Sequence, residues 1–250
     1  MKYKFIPVDN DLNKAEAFAN TLNNSNILNV QKIIQPESYI KTLDVIEMFQ
    51  SEGWVLKGVA EQRNKGSRKV THNFAQLHHP DFEIKTQHKG VDSVASITIS
   101  NSCNGRSPLD LHLGAFRLVC SNGLIRKDTL NQSKIKHTSE GYRDLPSIIN
   151  SFHLKSRALS TEIEKLQNTE LTPKEISSFA FKAVQAKYKN NTPKDIDYMK
   201  IVQALRKEDE GNDVWRVFNR LQENLTQNVS RMTDDIKLNQ QLFSLAESYV

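Results

Sequence analysis

The chain has 250 residues, of which 38% are apolar, 8% aromatic and 25% charged, with a net charge of +5 and a pI of about 9.1. This is enough to bury one large core or two modest ones; with no run of about 18 apolar residues and no signal-like leader, a membrane-spanning protein is excluded and the cytoplasm is expected. Two cysteines, Cys103 and Cys120, exclude a disulfide framework and a CxxC zinc site, and both are expected to be buried or half-buried.

Residues 1–52 read as an N-terminal helical segment. "DLNKAEAFANTLN" places Leu12, Ala15, Phe18, Ala19 and Leu22 at helical spacing behind an Asp cap. "SYIKTLDVIEMFQSEG" repeats the pattern with Ile40, Leu43, Ile46, Met48 and Phe49, and Gly53 stands where a helix ends. From Trp54 the period changes to two, and residues 53–144 read as an antiparallel sheet core. "GWVLKGVAEQ" and "VTHNFAQLHH" are two strands of a hairpin with the basic tip "RNKGSRK", and Pro80 is expected to end the second. "DSVASITISNS" alternates Ala95, Ile97 and Ile99 against Ser96, Thr98 and Ser100. Leu109 to Val119 is a fourth strand, and "SKIKHT" a short edge strand whose lysines discourage further pairing.

Residues 145–250 read as a helical half packed on the sheet. One stripe carries Ile148, Phe152, Leu159, Ile163 and Leu166. Thr172, Pro173 and Glu175 form a capping-box start, and Thr192, Pro193 and Asp195 look like a second such start. "NDVWRVFNRLQENL" sets Val214, Val217, Phe218, Leu221 and Leu225 on one face, and a last helix runs from about Asp234 to Ser248. The fold class is α+β: a four- to five-stranded antiparallel sheet with N-terminal helices and a C-terminal helical half. Phe152, Leu159, Ile163, Phe179, Trp215 and Phe218 are its expected packing residues.

The stretch "LHLGAFRLVCSNGLI" breaks its own rhythm. Leu109, Leu111 and Leu113 alternate with Asp110 and His112, but after Gly114 the apolar residues move to Phe116, Leu118 and Cys120. A bulge at Gly114 would reconcile the two halves and put Asp110, His112 and Arg117 on one wetter face.

Charge is unevenly distributed. Residues 57–69 hold five basic residues (Lys57, Arg63, Lys65, Arg68, Lys69) against Glu61 alone. Residues 114–158 hold eight (Arg117, Arg126, Lys127, Lys134, Lys136, Arg143, Lys155, Arg157) against Asp128, Glu140 and Asp144. Such clusters are either solvated loops or a nucleic-acid surface.

"LGAFRLVCSNGL" resembles the signature of DUF932, a family of phage- and plasmid-associated bacterial proteins. "WRVFNRLQENL" and "SRMTDDIKLNQQLFSLAE" resemble the tail of its phage/plasmid branch. The resemblance covers roughly residues 90–250 and implies a mobile element in a bacterial host cell, without implying a mechanism. "NSCNGRS", Asn101 to Ser107, departs from an expected "NSHDG"-like turn, so chemistry resting on that turn's His or Asp would be lost here.

Three chemistries suit these residues. A nucleic-acid binder, single-stranded DNA included, would use Arg63, Lys65, Arg68 and Lys69 at the hairpin tip, with Arg117, Arg126, Lys127, Lys134 and Lys136 beyond. Ser96, Thr98, His112 and Arg117 would form its open sheet face. Trp54, Phe74 and Phe82 are candidate stacking residues that also suit a core. Strand annealing in recombination is a specific version by fold analogy. A metal enzyme would draw on His72, His78, Asp110 and His112, but no ligand motif frames them. Nucleophilic catalysis by Cys120 or Ser121 lacks a framing motif. No phosphate-binding loop or other cofactor motif occurs. Asn219, Arg220, Glu223 and Asn224 are open to three readings: solvated, capping a neighbouring helix, or joining subunits of a homo-oligomer. A non-enzymatic factor that binds proteins in phage–host or plasmid–host conflict is the alternative function.

Overall fold

A computed structural model describes residues 6–7, 38–63, 70–86, 90–117, 123–125, 134–189, 191–227 and 229–250. The first expected helix, the hairpin tip 64–69 and residues 118–122 and 126–133 lie outside the described residues. Four long strands run as an antiparallel meander: β2 (Val55–Arg63), β3 (Val70–Thr86), β4 (Gly90–Ser102) and β5 (Leu109–Arg117). A two-residue strand, β1 (Ile6–Pro7), pairs with β2. On the far edge, β6 (Gly123–Ile125) pairs with Gly114–Phe116 and β7 (Lys134–Ile135) with Leu109–Asp110, so together they form one interrupted fifth strand.

The helices are α1 (Thr42–Ser51), α2 (Ser139–Asn168), α3 (Pro173–Tyr188), α4 (Tyr198–Val202), α5 (Val214–Thr226) and α6 (Met232–Glu247). α1 and α2 cover the sheet's apolar face. Phe49 of α1 meets Phe152 of α2 edge-on at 5.9 Å and Trp54 at 5.7 Å. All six residues expected to pack the helical half are buried, and sheet and helices share one continuous apolar core. Thr172 and Glu175 form the expected capping box, each side chain bonding the other's backbone N–H.

Local expectations fail in four places. β3 does not stop at Pro80; it runs on to Thr86 because a register irregularity between His78 and Glu83 absorbs a residue that cannot donate to the ladder. α2 starts at Ser139, with Thr138 as its cap, and carries Pro146 inside. Thr192 and Pro193 start no helix: the next begins at Tyr198, where the Asp197 side chain accepts from the Met199 and Lys200 N–H groups. The fourth concerns Gly114. β4 and β5 pair without a shift from Ser93 opposite Arg117 to Ser100 opposite Asp110. There is no bulge, and position 117 shares its parity with Leu113 and Ala115, not with Asp110 and His112.

Gly141 yields a prediction of unusual sign. Glycine in a helix ordinarily gives way to alanine with a gain in stability of about 0.5–1 kcal/mol. Here a Cβ would stand 2.3 Å from the carbonyl oxygen of Lys136 and 3.1 Å from Ile135. Gly141→Ala should therefore destabilise the fold by about 1–3 kcal/mol, the usual overpacking range, as urea unfolding would measure.

Candidate nucleic-acid interface

Sheet topology brings distant basic segments to one end. The β2–β3 hairpin closes there at Arg63 opposite Val70, the β4–β5 turn follows Ser102, and β7 starts opposite Asp110. His137 knits these pieces together. Its Nδ1 accepts from the Ile40 N–H at 3.2 Å, which leaves Nε2–H to donate to the Ser107 carbonyl at 3.2 Å. Its ring stacks on Tyr39 at 4.8 Å, and the Tyr39 hydroxyl donates to the Ser102 carbonyl at 3.1 Å. The buried Asn101 amide donates to the Ile40 carbonyl at 2.9 Å, fastening α1's approach to the sheet. Burial holds the His137 imidazole below its ordinary pKa, against the opposing effect of the bond to Ser107.

Around this neutral anchor stand cations. Lys41, Arg106 and Lys136 are all exposed, and each is the chain neighbour of a group bonded through His137. Lys134, also exposed, lies two residues away. Of the residues expected to bind nucleic acid, Lys134 and Lys136 are thus placed here, and Arg63 ends β2 at the same end. Arg117 ends β5 at the opposite end of the strand. Lys65, Arg68, Lys69, Arg126 and Lys127 lie outside the described residues. Sequence reasoning missed Lys41 and Arg106, because each is a lone cation in its own stretch and only folding makes it part of a group.

The expected open sheet face is an interior surface instead. Ser96, Thr98 and His112 are only 2%, 3% and 7% exposed. Helix α6 lies over them. Met232 and Ile236 pack with Ala60 and Phe74, Thr233 donates twice to Gln62 Oε1, and Gln240 Nε2 meets His112 Nδ1 at 3.2 Å. This also explains the shift of apolar residues after Gly114. Both faces of β5 are covered, so Phe116 packs beside His78, ring centroids 4.3 Å apart, while Leu111, Leu113 and Ala115 fill the other core.

His72, His78, Asp110 and His112 share this second face, and His112 Nε2 lies 3.6 Å from Asp110 Oδ2. β4 nevertheless separates the two histidines of β3 from the pair on β5, and among the described residues no three His, Cys, Asp or Glu side chains gather to hold an ion. Cys103 is half-buried, with its thiol pushed up to about 11, first by burial, which leaves it un-ionised at neutral pH. Trp54 and Phe74 are core residues, and Phe82 packs half-buried against Trp54 and His153.

The polar run of α5 has a definite use. Asn224 Nδ2 donates to the carbonyls of Ile201 and Gln203 at 2.9 and 3.0 Å, and Arg220 Nη2 to that of Gly211 at 2.7 Å. Glu223 pairs with Arg206. Asn219 bonds within its own helix, to the Trp215 carbonyl. Three of the four residues thus clasp the segment from α4 to Gly211.

The sequence profile of the domain of unknown function DUF932 matches residues 33–244. The chain is 25% identical over 234 residues to the UPF0380 protein YfjQ of Escherichia coli (strain K12), covering 84% of this chain and 81% of that one. It is equally similar, over 236 residues and with the same coverage, to the UPF0380 protein YafZ of the same organism. No solved structure matches it. Among the described residues no helix is long and apolar enough to cross a membrane.

Proposed function

Since the chain belongs to the DUF932 family, whose function is unknown, we propose from the geometry that it binds nucleic acid in the setting of a phage or plasmid, at the end of the sheet and not across its face. One observation carries this reading: exposed Lys41, Arg106 and Lys136 each neighbour, along the chain, a group bonded through His137, with exposed Lys134 two residues before Lys136, at the end where the β2–β3 hairpin closes. Four such cations from three separate segments give this end an excess of positive charge that no single stretch of sequence supplies. The neutral His137 holds the main chain that carries them without adding charge. Strand annealing in recombination is one use such a surface would serve.

The test is binding to a labelled oligonucleotide, single-stranded and duplex, at low and moderate salt. Each phosphate contact contributes a log–log salt slope of about −0.7 on single strands and −0.9 on duplex DNA. Replacing Lys41, Arg106, Lys134 and Lys136 together by Ala should flatten the slope by about 3 and leave the melting temperature unchanged, because all four are exposed. An unaltered slope in that variant, or no binding by the natural protein at low salt, overturns the proposal. A protein-binding role in conflict between the element and its host then takes its place.

A further inference from the structure

The aromatic residues picked out from the sequence as stacking candidates are buried or packed against the core, so a single strand would need other rings. Exposed rings do occur, on the helical half. Phe181 of α3 and Tyr198 of α4 are 51% and 36% exposed, and lie nearly parallel, 24° between planes and 6.4 Å between centroids. Met199 and Leu205, 78% and 51% exposed, continue the same apolar segment. Residues 173–202 hold six lysines (Lys174, Lys182, Lys187, Lys189, Lys194, Lys200) against Glu175, Asp195 and Asp197.

The way this segment is held sets it apart from an ordinary loop. α4 buries no residue completely, but its Ile201 and Val202, with Ile196 before it, are half-buried against the core. α5 adds a polar clasp, through the Asn224 bonds to the Ile201 and Gln203 carbonyls, the Arg206–Glu223 pair and the Arg220 bond to Gly211. Half-buried polar groups thus help to hold a segment that presents large apolar side chains to solvent.

We infer that Phe181 and Tyr198 form a stacking platform for the bases of single-stranded nucleic acid, with the surrounding lysines taking its phosphates. Two rings already parallel offer a flat face to a third, and any base has one. A duplex keeps its base faces internal and gains nothing from the platform. As far as Gly211 the segment holds eight cations against six acidic residues, with the acids 208–210 gathered beyond the rings, so the charge around the rings favours an anionic occupant over a second copy. The inference rests on the nucleic-acid reading above and gives it a strand preference, at a surface separate from the end of the sheet.

The test compares binding of labelled oligo(dT) and of a duplex of equal length, in the natural protein, in Phe181→Ala/Tyr198→Ala and in the ring-preserving Phe181→Tyr/Tyr198→Phe. The double alanine variant should bind oligo(dT) about tenfold or more weakly, from base–aromatic stacking at two rings, with duplex binding and melting temperature unchanged. The ring-preserving variant should bind as the natural protein does. Unchanged oligo(dT) binding by the alanine variant, or an equal loss on both substrates, overturns the inference while leaving the sheet-end reading intact. Loss of binding to an acidic, phenylalanine-containing peptide, with oligo(dT) binding unchanged, would also overturn it and assign the surface to a protein. If the natural protein binds neither oligonucleotide, the functional reading fails first and the platform with it.

Discussion

Trp215→Ala is expected to lower the unfolding free energy by about 3–5 kcal/mol. Trp215 is 2% exposed, stacks on Phe218 at 5.7 Å, and Phe218 in turn meets Phe243 of α6 edge-on at 5.8 Å. Removing the indole therefore opens a cavity beside Phe218 on the buried side of α5, and the loss is a large share of the ~5–15 kcal/mol by which domains are ordinarily stable. Among the described residues the indole Nε1 has no hydrogen-bond partner, so Trp215→Phe forfeits no bond there and should keep most of the stability. Urea unfolding of the three proteins measures this. An unchanged midpoint for Trp215→Ala would remove Trp215 from the core and overturn the account of how the helical half is packed.

Acid should weaken the fold well before its carboxylates are neutralised. Burial, helped by the nearby Lys57, pushes the His78 imidazole down to about 4. Burial also lowers His72, helped by Arg231, and lowers His112 against the opposing pull of Asp110. In the unfolded chain these rings protonate near pH 6.5. Below that pH the unfolded state takes up protons that the folded state refuses, so stability is complete above about pH 6.5 and is lost as the pH falls towards 4. His78 alone accounts for about 2 kcal/mol by pH 5 and about 3 kcal/mol at the bottom of the window. Among the described residues its Nε2 has no partner to hold a proton, and Phe116 lies against its ring. His78→Leu should flatten the dependence, as urea unfolding at pH 7 and pH 5 would show. Equal stability of the natural protein at both values would contradict the buried, neutral state of these histidines.

Element types were legible because they rest on local chemistry. Alternation at Ala95, Ile97 and Ile99 needs only the period of a strand, and the Thr172–Glu175 cap needs only four residues. The second face of the sheet was not legible. Alternation marks which side of a strand is less apolar, not whether that side is wet. What covers His112 is Gln240, 128 residues further on, and what meets Gln62 is Thr233, 171 residues on. The bulge inferred at Gly114 fails for the same reason: a strand covered on both sides can place Leu113 and Phe116 on opposite faces without bending. The basic site was half legible. Lys134 and Lys136 stood out as a pair, whereas Lys41 and Arg106 join them only through the bonds of His137.

The clasp from α5 grips main-chain oxygens. Asn224 bonds the carbonyls of Ile201 and Gln203, and Arg220 that of Gly211. A carbonyl is the same whichever side chain accompanies it, so the path of this segment is independent of what stands at 198, 199 or 205. Within a lineage, those positions are free to diversify while the frame beneath them is kept, much as a tool changes its bit and not its chuck. Shortening or lengthening the segment is a different matter, since a change in residue count would carry the carbonyls out of register with the amide and guanidinium that hold them. Relatives are therefore expected to differ here in side chain and to agree in spacing.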